Sequence, residues 1–223
     1  IFHLYDPGCY AEHLIGGLAF GYCPKLKPGA IVPEFDVKNH KSIFRPEAAV
    51  SLQKAWKKQR NTPGVFRRGD RRHVCPLTLH CKHRDEYIAR ETGQPVKGRL
   101  CWDGRRINDF CVKWGFRYCD FTYMFGMLRK GDWVAMVDLR SYFLTLPVSA
   151  RFRKFLSIRD PITGELLQYQ RLPFGLSSAP AWANAVSSEV RRILVARGVP
   201  DVSFQTDDFC IIARTEKSCA TYL

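Results

Sequence analysis

Three aspartates pose the chemical question. Asp138 nearly closes the apolar run DWVAMVDL (132–139), and Asp207 and Asp208 stand side by side in FQTDDFCIIA (204–213). An isolated Asp-Asp pair most often marks a surface turn, because Asp suits turn geometry. Here the pair has strand-like residues on both sides, and a second strand-like run ends in an acid. If the two runs are neighbours in an antiparallel sheet, three carboxylates converge, at a high electrostatic cost unless hard cations occupy the cluster. Mg²⁺ fits that role, taking one or two carboxylates and leaving positions for water and phosphate oxygens. Two such ions roughly 3.5–4 Å apart can activate an attacking oxygen and stabilise a leaving one in an in-line phosphoryl displacement.

Other elements must position these acids. DWVAMVDL is nearly continuous in apolar character, which predicts a buried strand delivering Asp138 at its end. RKFLSI (153–158) and ELLQYQRL (165–172) flank Asp160-Pro161-Ile162-Thr163-Gly164, a hairpin signal. SSAPAWANAVSSEVRRILVARG (177–198) predicts a long helix, with Ser177 or Ser178 as cap and Gly198 at its end. VSFQTDDFCIIA (202–213) reads as two short strands with the Asp pair at the bend, and TEKSCATYL as a helix capped by Thr215. Upstream, RPEAAVSLQKAWKKQR (45–60) predicts an amphipathic helix with Ala49, Leu52 and Trp56 on one face. HVCPLTLHC (73–81) is strand-like, 84–98 reads as a loop, and RLCWDGRRIND (99–109) as a strand entering a turn. Residues 1–45 are rich in Gly and Pro and predict an irregular arm. Antiparallel strands with helices packed to one face define an α+β fold.

Composition narrows the function. The 223 residues are 46% hydrophobic, enough for a sizeable core, and 35 Lys and Arg against 21 Asp and Glu leave a charge of +14. Such a surplus suits a polyanionic partner. From Lys54 to Arg72 there are eight basic residues and one acid, which is either a solvated face or a phosphate-contacting one. Nine unevenly spaced cysteines make a disulfide framework a poor fit, and no apolar run reaches the ~18 residues of a membrane span. An intracellular protein without a membrane partner is expected. The chain starts at Ile1 and stops at Leu223 inside a helical stretch, as a piece of a longer protein would. His73, Cys75, His80, Cys81 and His83 invite a zinc reading, but their spacing matches no closed tetrahedral pattern. The tryptophans read mainly as core, with Trp102 a candidate for lying near a template.

MVDLRSYFLTLPV, RKFLSI, LPFGLSSAP and TDDF, in this order, resemble consecutive motifs of reverse transcriptases, and RLCWDGRRIND resembles the fingers motif before them. The likeness covers about residues 75–220. GDWVAMVDL, and ARG about ten residues before the Asp pair, look most like the tyrosine-recombinase (DIRS-type) retrotransposons. The resemblance implies a right-hand polymerase: an N-terminal arm and basic helix over 1–72, fingers over 73–131 and palm over 132–223, with a thumb further on. It implies RNA-directed DNA polymerase activity on an RNA or DNA template with primer, deoxynucleoside triphosphates as substrates, and two Mg²⁺ with Mn²⁺ as substitute. Carried over by position, Asp138 and Asp207 match metal ligands, Asp208 the second acid of the pair, and Leu139 a main-chain carbonyl on the nucleotide-bound metal. Arg99 matches a residue gripping the triphosphate, with Lys97 or Lys82 as its partner. Phe143 falls at the steric gate that excludes a 2′-hydroxyl. Phe174 and Gly175 match positions lining the nucleotide sugar, and Pro180 the start of the template-side helix.

The sequence also departs from the family pattern. Gln205 stands where an aromatic is usual, Trp182 and Ala183 occupy the region of a usual phenylalanine, and Ser141-Tyr142 replace an acid or glycine followed by a small residue. Two rival readings therefore stay open. One is a non-catalytic or domesticated nucleic-acid-binding relic. The other is an RNA polymerase sharing the palm, against which Phe143 argues.

Overall fold

The structure, a computed structural model, describes residues 7–81, 91–92, 98–115, 121–199 and 201–223. Lys82, His83, Lys97 and most of the 84–98 segment lie outside the described residues. Among the described residues the strands are β1 (Phe35–Asp36), β2 (Phe66–Arg68), β3 (His73–Val74), β4 (Leu77–Cys81), β5 (Gly98–Trp102), β6 (Trp133–Asp138), β7 (Ser157–Arg159), β8 (Leu166–Tyr169), β9 (Asp201–Gln205) and β10 (Asp208–Ala213). They form three sheets, ordered β1-β3-β7-β8-β2, β6-β10-β9 and β4-β5. The fold is α+β. No described helix is long and apolar enough to cross a membrane.

The chain divides into two compact units. One comprises residues 1–113 and 143–179 and holds the five- and two-stranded sheets. The helix Ala49–Arg60 buries Leu52 and Trp56 and exposes Lys54, Lys57, Lys58 and Arg60. Its buried face runs through Ala48 rather than the expected Ala49, which is exposed, because a 3-10 turn (Pro46–Ala48) precedes the α-helix and shifts its phase. Trp56, Phe66 and Tyr169 pack in sequence as tilted rings, with centroids 5.2 and 4.6 Å apart. Gln59, on the same face, donates to the Leu100 carbonyl and accepts from the Tyr169 hydroxyl at 2.8 Å. The supposed arm is not wholly irregular, since Pro7–Phe20 is a helix. Its apolar residues lack a 3.6-residue period, so pattern does not reveal it, while Pro7 suits the first turn and Gly21 (φ 90°) follows its end.

The expected hairpin at 153–172 forms as β7–β8, although residues 150–153 are a helical turn rather than strand. Trp102, offered as a template neighbour, is instead 1% exposed.

The second unit comprises residues 114–142 and 180–223. Its sheet is antiparallel, with β10 between β6 and β9. Alternation puts Ala135, Val137, Phe209, Ile211, Val202 and Phe204 on one face, where Val190 and Leu194 of the long helix (Ala179–Ala196) and Tyr222 of the last helix (Glu216–Tyr222) pack on them. The long helix ends as expected at Gly198 (φ 93°), whose N–H donates to Val195 while that of Val199 donates to Leu194. That pair of bonds, with Val199 packed in the same cluster as Leu194, is a Schellman stop. The Ser178 hydroxyl has no partner, so it does not cap the helix. Thr215 caps the last helix by accepting from the Ser218 N–H at 3.1 Å.

β6 contradicts the expectation of a buried strand. It lies at the sheet edge, and Trp133, Val134 and Met136 are 46%, 47% and 66% exposed. Only Ala135 and Val137 turn toward the core. An apolar run signals affinity for an apolar environment, not that both faces are covered.

Candidate active site

The β9–β10 hairpin sets the geometry of the acid pair. Gln205 pairs with Asp208, leaving Thr206 and Asp207 as a two-residue loop. Thr206 has φ 59° and Asp207 does not share a positive φ, the pattern of a II′ turn, where glycine is the usual first residue. Ser141, three residues after Asp138, has φ 57°. Among the described residues these are the two non-glycine positions in the left-handed region, and they flank the candidate carboxylates. Backbone strain of this sort concentrates at functional sites because the surroundings must hold it in place.

β6 and β10 are hydrogen-bonded neighbours, and Asp138 stands directly opposite Asp208. The Leu139 N–H donates to the Asp207 carbonyl at 2.9 Å. The Leu139–Asp207 pair is therefore a hydrogen-bonded one, and Asp138–Asp208 is the closer, non-hydrogen-bonded kind, with Cα atoms about 4.5 Å apart. Both carboxylates lie on the face opposite the helices, and both residues are exposed. Asp207 follows in the loop. No Lys, Arg or His side chain pairs with any of the three among the described residues. At the other end of the same sheet Arg214 binds both Asp132 and Asp201, and that hydrogen bond holds the Asp132 carboxyl below its ordinary value. The contrast is chemical: one end of the sheet is neutralised by the protein, the other is left for something else to neutralise.

An uncompensated pair of facing carboxylates with a third one residue away fits Mg²⁺, which needs few protein oxygens and retains water. Among the described residues no three His, Cys, Asp or Glu side chains gather closely enough to hold a metal ion, so the expected convergence of three carboxylates is met only by the facing pair Asp138–Asp208, with Asp207 adjacent along the chain. The Leu139 carbonyl accepts from the Tyr142 N–H at 3.2 Å, which leaves it one lone pair.

Beneath the loop lies a buried polar chain that sequence reasoning missed. Ser187, on the long helix and 0% exposed, donates to the Thr206 carbonyl. Its oxygen is 2.9 Å from the Tyr142 hydroxyl, which lies 3.0 Å from the Ala183 carbonyl. Burial first, with the negative charge of Asp207 adding to it, pushes the Tyr142 hydroxyl up to about 12. The sole hint in the sequence was a serine within the apolar side of a helix.

The remaining predicted residues belong to the other unit. Phe143 and Phe174 are half-buried, their rings 5.1 Å apart and tilted by 40°. Gly175 has φ 115°, and a Cβ there would sit 1.9 Å from the Trp102 carbonyl. Glycine is thus required by the chain's own packing. The Phe174 carbonyl accepts from the Trp102 N–H, and Asn108 bridges the Gly175 carbonyl and the Ser177 N–H. Arg99 is exposed on β5, opposite His80.

No protein-family model matches the sequence, and no curated protein is similar to it. Solved structures are. The foamy viral protease–reverse transcriptase in complex with double-stranded DNA matches with a TM-score of 0.67 at 17% identity, over 90% of this chain and 38% of that one. The chain has a reverse transcriptase-like fold. The same protein with an RNA/DNA hybrid matches at 0.60 and 16% identity, over 88% and 24%. The native prototype foamy virus enzyme matches at 0.58 and 17% identity, over 89% and 24%. The chain thus spans 24% to 38% of the length of these reverse transcriptases. The likeness agrees with the α+β fingers-and-palm architecture.

Proposed function

We propose that the chain is the fingers and palm of an RNA-directed DNA polymerase, a reverse transcriptase of a retrotransposon, nearest in its motifs to the DIRS type. The observation that carries the reading is the facing pair Asp138–Asp208, with Asp207 beside it and no cationic partner among the described residues. The reaction is attack of a primer 3′-hydroxyl on the α-phosphorus of a deoxynucleoside triphosphate, with pyrophosphate leaving. Asp138, Asp207, Asp208 and the Leu139 carbonyl would hold Mg²⁺, or Mn²⁺ in its place, whose chemistry is to polarise the attacking and leaving oxygens.

The chain's own residues bind and orient. Phe143, against Phe174, offers an aromatic edge to the nucleotide sugar, where it would discriminate against a 2′-hydroxyl. Gly175 fixes the turn that carries Phe174, and Arg99 is free to meet a triphosphate. The exposed Lys54, Lys57, Lys58 and Arg60 suit the backbone of an RNA or DNA template with its primer. That the similar foamy viral enzyme is seen with double-stranded DNA and with an RNA/DNA hybrid supports this partner.

Primer extension by the full-length parent tests the proposal. Asp138→Asn is expected to cut Mg²⁺-dependent extension by roughly a thousandfold or more, because it removes a charge that the transition state needs most. Wild-type extension by that variant defeats the reading. The second reading, a nucleic-acid-binding relic, is favoured by Gln205 in place of the usual aromatic. Tight, salt-sensitive duplex binding with no extension by the wild type would select it.

A further inference from the structure

The carboxylate hairpin rests on a strained loop, so something must hold the loop still. The Thr206–Asp207 peptide plane carries the Thr206 carbonyl at one end and the Asp207 N–H at the other. Rotation of that plane would re-aim Asp207, and a β-branched residue at φ 59° is strained and must be held in place. Ser187 has a single hydroxyl proton. The Thr206 carbonyl can only accept, so the proton goes there. The Ala183 carbonyl likewise only accepts, so the tyrosine proton goes there at 3.0 Å, and across the 2.9 Å contact Ser187 donates to the Tyr142 oxygen, its proton shared with Thr206. Donation runs from Ser187 to both Thr206 and Tyr142, and from Tyr142 to Ala183, which anchors the pair to the long helix. Tyr142 sits four residues after Asp138, and its own N–H reaches the Leu139 carbonyl, whose residue donates in turn to Asp207. The circuit closes on both carboxylate-bearing strands.

We infer that Tyr142 and Ser187 are positioning residues, a buried strut that locks the Thr206–Asp207 peptide and so sets the register of Asp207 against Asp138. Its catalytic consequence rests on the polymerase reading; its structural claim does not. Neither side chain touches substrate. Both act through the Thr206 carbonyl, Ser187 directly and Tyr142 by orienting Ser187.

The test uses Ser187→Ala, Tyr142→Phe and the double variant in the full-length protein. A hydrogen bond of about 1 kcal/mol predicts that Ser187→Ala speeds amide hydrogen exchange over residues 204–209 and at Leu139 by roughly 5- to 10-fold, and Tyr142→Phe by about 3-fold. The double variant should exchange no faster than Ser187→Ala, since the tyrosine works through the serine. Thr215→Ala, which removes a helix cap in the same unit, should lower stability without this local signature. In primer extension, kcat should fall about 5- to 10-fold for Ser187→Ala while the nucleotide KM stays within about twofold. Unchanged exchange in Ser187→Ala, or additive effects in the double variant, overturns the strut. Faster local exchange in Ser187→Ala, together with a wild type that extends no primer, upholds the strut and sinks the polymerase reading. Faster exchange with unaltered kcat overturns the catalytic consequence.

Discussion

Among the described residues two hairpins have an aspartate at the bend, and they treat it in opposite ways. In β7–β8, Asp160 is 4% exposed. Its carboxylate accepts from the Ile162 and Thr163 N–H groups at 2.8 and 3.1 Å, and Arg60 lies 4.0 Å away. The left-handed position in that loop is filled by Gly164, φ 74°. In β9–β10, Asp207 and Asp208 have no cationic partner among the described residues, and the left-handed position is filled by a threonine. The first hairpin uses its aspartate to satisfy its own backbone. The second keeps its carboxylates available and bears strain in order to aim them. A turn aspartate is structural when its lone pairs are spent inside the loop, and a candidate for chemistry when they are not.

The largest test of the contrast is functional. Asp208→Asn is expected to reduce Mg²⁺-dependent extension by roughly a hundredfold, as loss of a group that offsets transition-state charge would. Its metal-free stability should hold or rise slightly, because a like charge facing Asp138 is removed. Asp160→Ala should do the reverse. Leaving two backbone N–H groups without their charged acceptor is expected to cost about 2–3 kcal/mol in a urea titration, with extension per folded molecule unchanged. If Asp160→Ala proves neutral, or Asp208→Asn unfolds the chain, the two hairpins are not the opposites described. Metal titration sharpens the point: Mg²⁺ at ten times its dissociation constant adds about 1.4 kcal/mol of stability to any chain that binds it only when folded. That increment should survive Asp160→Ala and shrink in Asp208→Asn, read as the shift of the melting midpoint.

Both hairpins were legible in the sequence because turn chemistry is local. Asp-Pro-Ile-Thr-Gly announces its bend, and strand-like residues on either side of an Asp pair announce another. Gly198 and Thr215 marked helix ends for the same reason. What the sequence concealed depended on partners far along the chain. Whether β6 is covered depends on its place at the sheet edge, which no run of apolar residues encodes. Gly175 is demanded by a carbonyl at Trp102, and Gln59 by Tyr169 and Leu100. The neighbouring of β6 and β10 followed from pattern and topology, so the facing of Asp138 and Asp208 could be foreseen. The bond from Ser187 to Thr206 could not, since a buried helical serine has the same local signature whether or not a loop carbonyl waits above it.

The smallest effect bears on the strain itself. Nothing lies within 4 Å of where a Cβ at Gly164 would stand, so Gly164→Ala isolates the backbone preference from packing. With φ at 74° it should destabilise the chain by about 1 kcal/mol, the ordinary excess of a left-handed L-residue over glycine. Thr206 already bears that penalty, with a branched side chain that makes it larger. Evolution could have relieved it with glycine, at the expense of a loop free to adopt other conformations. A strained but braced loop offers fewer alternatives than a relaxed one, which is what Asp207 would require in the proposed role of metal ligand. Should Gly164→Ala leave the denaturation midpoint where it was, a positive φ costs little in hairpins of this chain, and Thr206 needs no brace.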